Sequence, residues 1–239
     1  MNNTAAILSP HQTGVLLRGE ANTIAGWIEQ RSARRALFYV AVIVVGAGLY
    51  GAAMGFWRSP LQSFYGGVKL PLVLLGTALG NGLLNGMLAP LLGLNLGFRQ
   101  SLMAVLMSFT IAAMILGGLS PLIFFVIWNT PPMTGGLHLS SPQYNHVLLA
   151  EVAVIAFSGI VANLRLGQLL KQMSGSKDIA WKILLAWLAG NLFLGAQMSW
   201  MLRPFVSLPD SPVEFLRPHP LEGNFYEAIF VSLKYLFHS

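Results

Sequence analysis

No cysteine occurs among the 239 residues. That excludes disulfides, a thiolate metal site, an iron–sulfur cluster and a cysteine nucleophile. Charge is scarce as well: Asp, Glu, Lys and Arg make up 9% of the chain, against about 25% in a soluble domain. Eight acidic and fourteen basic side chains cannot build the hydrated outer layer of a soluble protein this large. Disorder, a small secreted scaffold and most soluble enzymes are therefore excluded.

Catalytic and metal-binding patterns are missing too. No HExxH, GxSxG, Walker-type or dinucleotide glycine motif occurs. The five histidines are His11, His138, His146, His219 and His238. Only His146 touches an apolar run, and only at its edge, whereas a haem between spans needs two facing histidines at matched depth. Ser108, Thr110 and Ser158 lie in apolar runs with no base at useful spacing. The sequence therefore offers no catalytic residue, no cofactor and no metal ligand, and points away from an enzyme.

What the chain has is apolar length. Hydrophobic residues make up 55% of it and the mean hydropathy is +0.64. The fold class expected is all-α: a polytopic transmembrane bundle of about five spans, with amphipathic interfacial helices at both ends. The spans are read at about 36–56, 70–92, 101–128, 145–164 and 179–202. Each is long enough to cross a hydrocarbon core of ~30 Å at about 1.5 Å per residue. Trp57, Trp128, Trp181 and Trp200 fall near span ends, where indole rings sit in the membrane–water interface.

Between the spans, residues 57–69 read as a connector broken by Pro60 and Gly66–Gly67, and 165–178 as the most basic one. Residues 129–144 form a turn-rich loop without Lys or Arg, and a kink is expected near Pro121. The first 35 residues show no signal peptide. Within them Ile24, Trp27 and Ile28 share one helical face, followed by Arg31, Arg34 and Arg35. This reads as an interfacial helix with the three arginines on lipid headgroups, or as a partner-binding helix. The tail, 203–239, has five prolines, then a terminal run (Phe225, Ile229, Leu233, Leu236, Phe237) with amphipathic helical spacing.

The net charge of +6 and pI near 9.9 come from bases beside apolar runs, which points to lipid headgroups rather than nucleic acid. Nine bases fall on the N-terminal side (Arg18, Arg31, Arg34, Arg35, Arg99, Arg165, Lys171, Lys177, Lys182). Five fall on the other (Arg58, Lys69, Arg203, Arg217, Lys234). The positive-inside rule then places the N-terminus in the cytoplasm and the tail across the membrane.

Two residue sets stand out inside the spans. Gly51 and Gly55, Gly76 and Gly80, and Gly82 and Gly86 are small-xxx-small pairs that let helices approach closely. The polar set is Glu151, Asn81, Asn85, Asn191 and Gln197. Glu151 is the only carboxylate within a span. A chain tolerates such a group when it is protonated, paired or facing water. Two uses are open. Glu151 is a structural partner of Asn81, Asn85, Lys69 or another subunit, or it couples protons or cations along a polar path lined by the amides. Its place less than two turns into its span suggests partial hydration.

Three stretches resemble the membrane region of Yip1-like proteins: Lys69-Leu70-Pro71-Leu72, Phe98-Arg99-Gln100-Ser101-Leu102 and Leu119-Ser120-Pro121-Leu122. Ser63-Phe64-Tyr65-Gly66 is a faint echo of the family's acidic DLYGP-type motif. The resemblance covers about residues 36–202 and leaves the tail from Arg203 unexplained. It implies a non-enzymatic membrane scaffold or accessory subunit, associating with membrane-protein partners or with itself. The alternative is a small proton- or ion-coupled transporter or channel built on Glu151 and the amides.

Overall fold

The structure is a computed structural model that describes residues 10–30, 32–131, 142–203, 213–216, 220 and 222–223. The described residues form helices and no strand. The helices are α1 (Pro10–Arg18), α2 (Ala21–Glu29), α3 (Ala33–Phe56), α4 (Pro60–Leu91), α5 (Phe98–Trp128), α6 (Pro142–Ser174) and α7 (Lys177–Leu202). Five of them, α3 to α7, are long and apolar enough to cross a membrane. Large apolar side chains stay exposed around the bundle, among them Met87 at 72%, Leu91 at 81% and Leu164 at 62%. A soluble protein rarely leaves so much apolar surface bare, whereas lipid covers it without cost. Of the loop expected at 129–144, residues 129–131 are described and 142–144 are already the first turn of α6; the terminal amphipathic run lies outside the described residues.

Two helices run well past the hydropathy-defined spans. Residues 57–69 are not a connector: α4 starts at Pro60. Ser59 caps it, its Oγ accepting from the Gln62 N–H at 3.1 Å. Proline at the first helical position lacks an N–H that would be orphaned there anyway, so Pro60 begins the helix instead of breaking it. Likewise α6 carries on through the basic stretch to Ser174, and Gly175, at φ +64°, ends it. Leu166, Leu169 and Leu170 are buried on this extension. They share a cluster with Ile24 and Ile28, so the apolar face of α2 packs on α6 instead of lying free in the interface.

The register follows from glycine contacts. A Cβ on Gly51 would land on the Gly66 carbonyl, and one on Gly55 on the Gln62 carbonyl, which makes α3 and α4 an antiparallel hairpin with touching backbones. On the next face of α3, a Cβ on Gly46 would land on the Ala113 carbonyl, and the Thr110 hydroxyl donates to the Tyr39 carbonyl at 3.5 Å; both pairs advance together, so α5 runs parallel to α3. Gly82 meets Leu102 and Gly86 meets Phe98, which sets α5 antiparallel to α4. Gly76 meets Met198 and Gly80 meets Leu194, which sets α7 antiparallel to α4. Each of the six glycines singled out in the spans meets a neighbouring helix of this chain.

Pro121 does not interrupt α5, which continues to Trp128. Proline removes the N–H that would bond the carbonyl four residues back, that of Gly117. The Ser120 hydroxyl donates to that carbonyl at 2.7 Å in its place. A membrane helix tolerates proline when a nearby hydroxyl satisfies the freed group.

The glycine contacts give a differential expectation. Gly55→Ala should destabilise the bundle by about 1–3 kcal/mol, since overpacking forces backbone shifts. Gly118→Ala, whose Cβ would meet nothing within 4 Å, should be neutral or slightly stabilising. Thermal unfolding in one detergent checks this, and equal midpoints for the two variants would refute the packing account.

Candidate functional site

The polar residues of the spans separate into three places. In the first, Asn81 of α4 donates from Nδ2 to the Trp187 carbonyl at 3.2 Å and to Asn191 Oδ1 of α7. Gly190 makes room for it, since a Cβ there would stand 2.5 Å from Asn81 Oδ1. Spacing singled out Asn81 and Asn191 but missed Gly190, which reads as one more small residue. Asn85 lies one turn along the same face. It is fully buried, and neither amide atom has a partner among the described residues. Gln197 is only half-buried, and no hydrogen bond joins it to this group. The expected polar path is therefore, in part, an interhelical clamp.

The second place holds Glu151, nine residues beyond Pro142 and about 14 Å along α6 at 1.5 Å per residue. Its neighbours one turn to either side, Val147 and Ile155, pack with Tyr50, Met54, Leu70 and Leu116. Glu151 projects toward the same cluster. It is 1% exposed, and neither carboxyl oxygen has a hydrogen-bond partner among the described residues. The Tyr50 hydroxyl donates to the Glu151 backbone carbonyl at 3.2 Å. Two expectations fall here. Partial hydration is replaced by full burial, because α3, α5 and α6 close over the group. Pairing with Asn81, Asn85 or Lys69 is absent: Asn81 and Lys69 bond elsewhere, and the Asn85 amide has no partner among the described residues.

The third place is Lys69 of α4, 2% exposed. Its Nζ donates to the Glu214 backbone carbonyl at 2.9 Å. The ammonium lies 5.5 Å from the Tyr65 ring centroid and 5.4 Å from that of Phe215. The two rings meet edge to face at 5.4 Å. Side chains on a helix lean toward its N-terminus, so Lys69 reaches one turn back to Tyr65 and up toward the interface. The irregular segment 213–216 docks there. The sequence contained no signal for this contact, because 145 residues separate its partners.

At the opposite end, Arg35 is turned inward. Its Nη1 donates to the Trp27 carbonyl at 3.0 Å and its guanidinium stacks 4.7 Å from the Trp27 ring centroid. This corrects its assignment to lipid headgroups: Arg35 fastens α2 to α3. Arg34 is exposed and Arg31 lies outside the described residues. The only ion pair among the described residues is Arg18–Glu20, at the surface. No three metal-ligating side chains come together among them, and the side chains of all five histidines lie outside the described set.

No protein-family model, curated protein or solved structure matches this chain.

The contrast between the two asparagines is open to test. Asn81→Leu breaks two interhelical bonds and should lower stability by about 1–2 kcal/mol. Asn85→Leu removes two unsatisfied atoms and should be neutral or stabilising. Unfolding midpoints in detergent decide it; a larger loss at Asn85 would place that amide in a bond the structure lacks.

Proposed function

We propose that the chain is a small, non-enzymatic, proton-coupled membrane carrier in which Glu151 binds and releases the coupling proton. One observation carries this reading: a span contains a carboxyl that is fully buried and that has neither a cation nor a hydrogen bond to its oxygens among the described residues. A carboxylate at that depth is unfavourable by about +2.5 to +3.5 kcal/mol on insertion scales. Of the three ways a chain tolerates it, pairing and hydration are absent among the described residues, which leaves the proton. A group that must be neutral when enclosed and can ionise when water reaches it is suited to move a proton. Tyr50 is the one titratable side chain that reaches Glu151's own backbone, and it fixes α6 against α3 at that level. In this reading the N-terminus faces the cytoplasm, the source of protons or their destination depending on the gradient.

A second reading is a scaffold or accessory subunit, the role that the Yip1-like resemblance implies. The glycine pairs are taken up within the bundle. An open apolar groove of about 390 Å³ supports this reading, lined by Phe38, Val42, Val45, Leu49, Met114 and Gly117 on the outer face of α3 and α5. A partner helix or acyl chains would fill it.

The carrier reading predicts that proteoliposomes holding the purified chain dissipate an imposed pH gradient, followed with an entrapped pH-sensitive dye. Glu151→Gln, nearly isosteric, should slow that flux about tenfold or more while leaving helix content unchanged. Tyr50→Phe should have a smaller effect. Equal flux with Glu151→Gln and the unaltered chain would exclude the carrier reading and leave the scaffold.

A further inference from the structure

Lys69 poses the mirror image of the problem at Glu151. Its ammonium is buried, has three N–H donors and meets one acceptor, an uncharged backbone carbonyl. No carboxylate is paired with it, the Glu214 side chain included, since the only ion pair among the described residues lies elsewhere. A buried charge without a counter-charge is unfavourable. The backbones of both residues lie close to α3: the Glu151 carbonyl accepts from Tyr50, and Leu70, next to Lys69, lies against Gly51. The Lys69 ammonium itself is held one turn back, at Tyr65.

We propose that Lys69 is the binding site for a small organic carboxylate, the substrate that travels with the Glu151 proton. This rests on the carrier reading and names its substrate class. The Glu214 carbonyl oxygen marks the place that a carboxylate oxygen takes on the ammonium. The flanking Tyr65 and Phe215 rings give that anion an apolar, weakly hydrated surrounding. A strongly hydrated dianion such as phosphate would lose more in desolvation there than one ammonium returns. A monocarboxylate with an apolar body loses less and gains ring contact. The load then balances. One proton neutralises Glu151, one anion neutralises Lys69, and the occupied interior carries no net charge through the low-dielectric slab. No covalent bond is made or broken.

Binding is measured without any pH gradient, on the full chain in detergent, by the shift in unfolding temperature and by saturation-transfer NMR. The probes are benzoate, laurate, chloride and inorganic phosphate. Benzoate should bind saturably, with chloride and phosphate weaker. Lys69→Met should raise its half-saturation about tenfold or more, the loss of one charge-assisted contact, and Lys69→Arg should retain part of it. Phe215 is 38% exposed and lies outside the bundle core, so Phe215→Ala tests the site where Lys69→Met fails to fold, and it should weaken benzoate severalfold. Benzoate without laurate places the substrate in water, and laurate in preference places it in the bilayer; both carry the site. Binding of no carboxylate, binding no weaker in Lys69→Met, or, where that variant does not fold, binding unchanged in Phe215→Ala would overturn it. Proton flux lost by Glu151→Gln with no benzoate binding would sink the anion site alone. Benzoate binding with flux indifferent to Glu151 would sink the carrier and leave the site.

Discussion

Backbone contact along α3 is the interaction on which the rest of the structure depends. Gly46, Gly51 and Gly55 let α3 touch α5 on one face and α4 on the other with no side chain between them. In hydrocarbon there is no hydrophobic drive to hold helices together, so close packing and interhelical hydrogen bonds must do it. The three-helix core formed by α3, α4 and α5 sets the positions of α6 and α7 through Ser108, which donates to the Ala162 carbonyl, and through Asn81. The α2 helix is then fastened over one end by Ile24, Ile28 and Arg35. Close approach at small residues therefore sets the register of the helices that carry the buried polar groups.

Those groups differ in how far they are satisfied, and the difference carries the functional argument. Asn81 and Arg35 meet acceptors and read as fasteners. Ser120 repairs the gap left by Pro121. Glu151 meets no partner for its carboxyl oxygens among the described residues, and Lys69 meets a backbone carbonyl and two rings but no carboxylate there. A purely structural bundle gains nothing from a lone carboxyl and a lone ammonium, since apolar side chains of similar volume would pack as well or better. Ligands that come and go, a proton for one and an anion for the other, account for both.

Much of the fold was legible from composition and spacing. The five apolar helices and the glycine pairs follow from hydropathy and small-residue spacing, which report on one helix at a time. Helix length was not legible from hydropathy, because an apolar window cannot see Ser59 capping α4 or Leu166, Leu169 and Leu170 carrying α6 beyond the span. Pro60 was read as a breaker because the effect of proline depends on its position in the helix. The site was legible only in part. Glu151, Asn81 and Asn191 stood out as polar residues in apolar runs. Their partners could not be read, since Asn81 meets Asn191 across 110 residues and Lys69 meets the tail across 145. Pairings at that separation depend on tertiary register, which no local pattern encodes.

The central claim is that Glu151 is a solitary enclosed carboxyl that carries a proton at rest. Infrared spectroscopy of the reconstituted chain reads this directly, through the C=O stretch of a protonated carboxyl in a non-hydrogen-bonded setting. The account predicts that this band is present at neutral pH, shifts little on exchange into heavy water and is missing from the Glu151→Gln variant. A spectrum with only ionised carboxylate bands at neutral pH, or a protonated band that survives in Glu151→Gln, would contradict it.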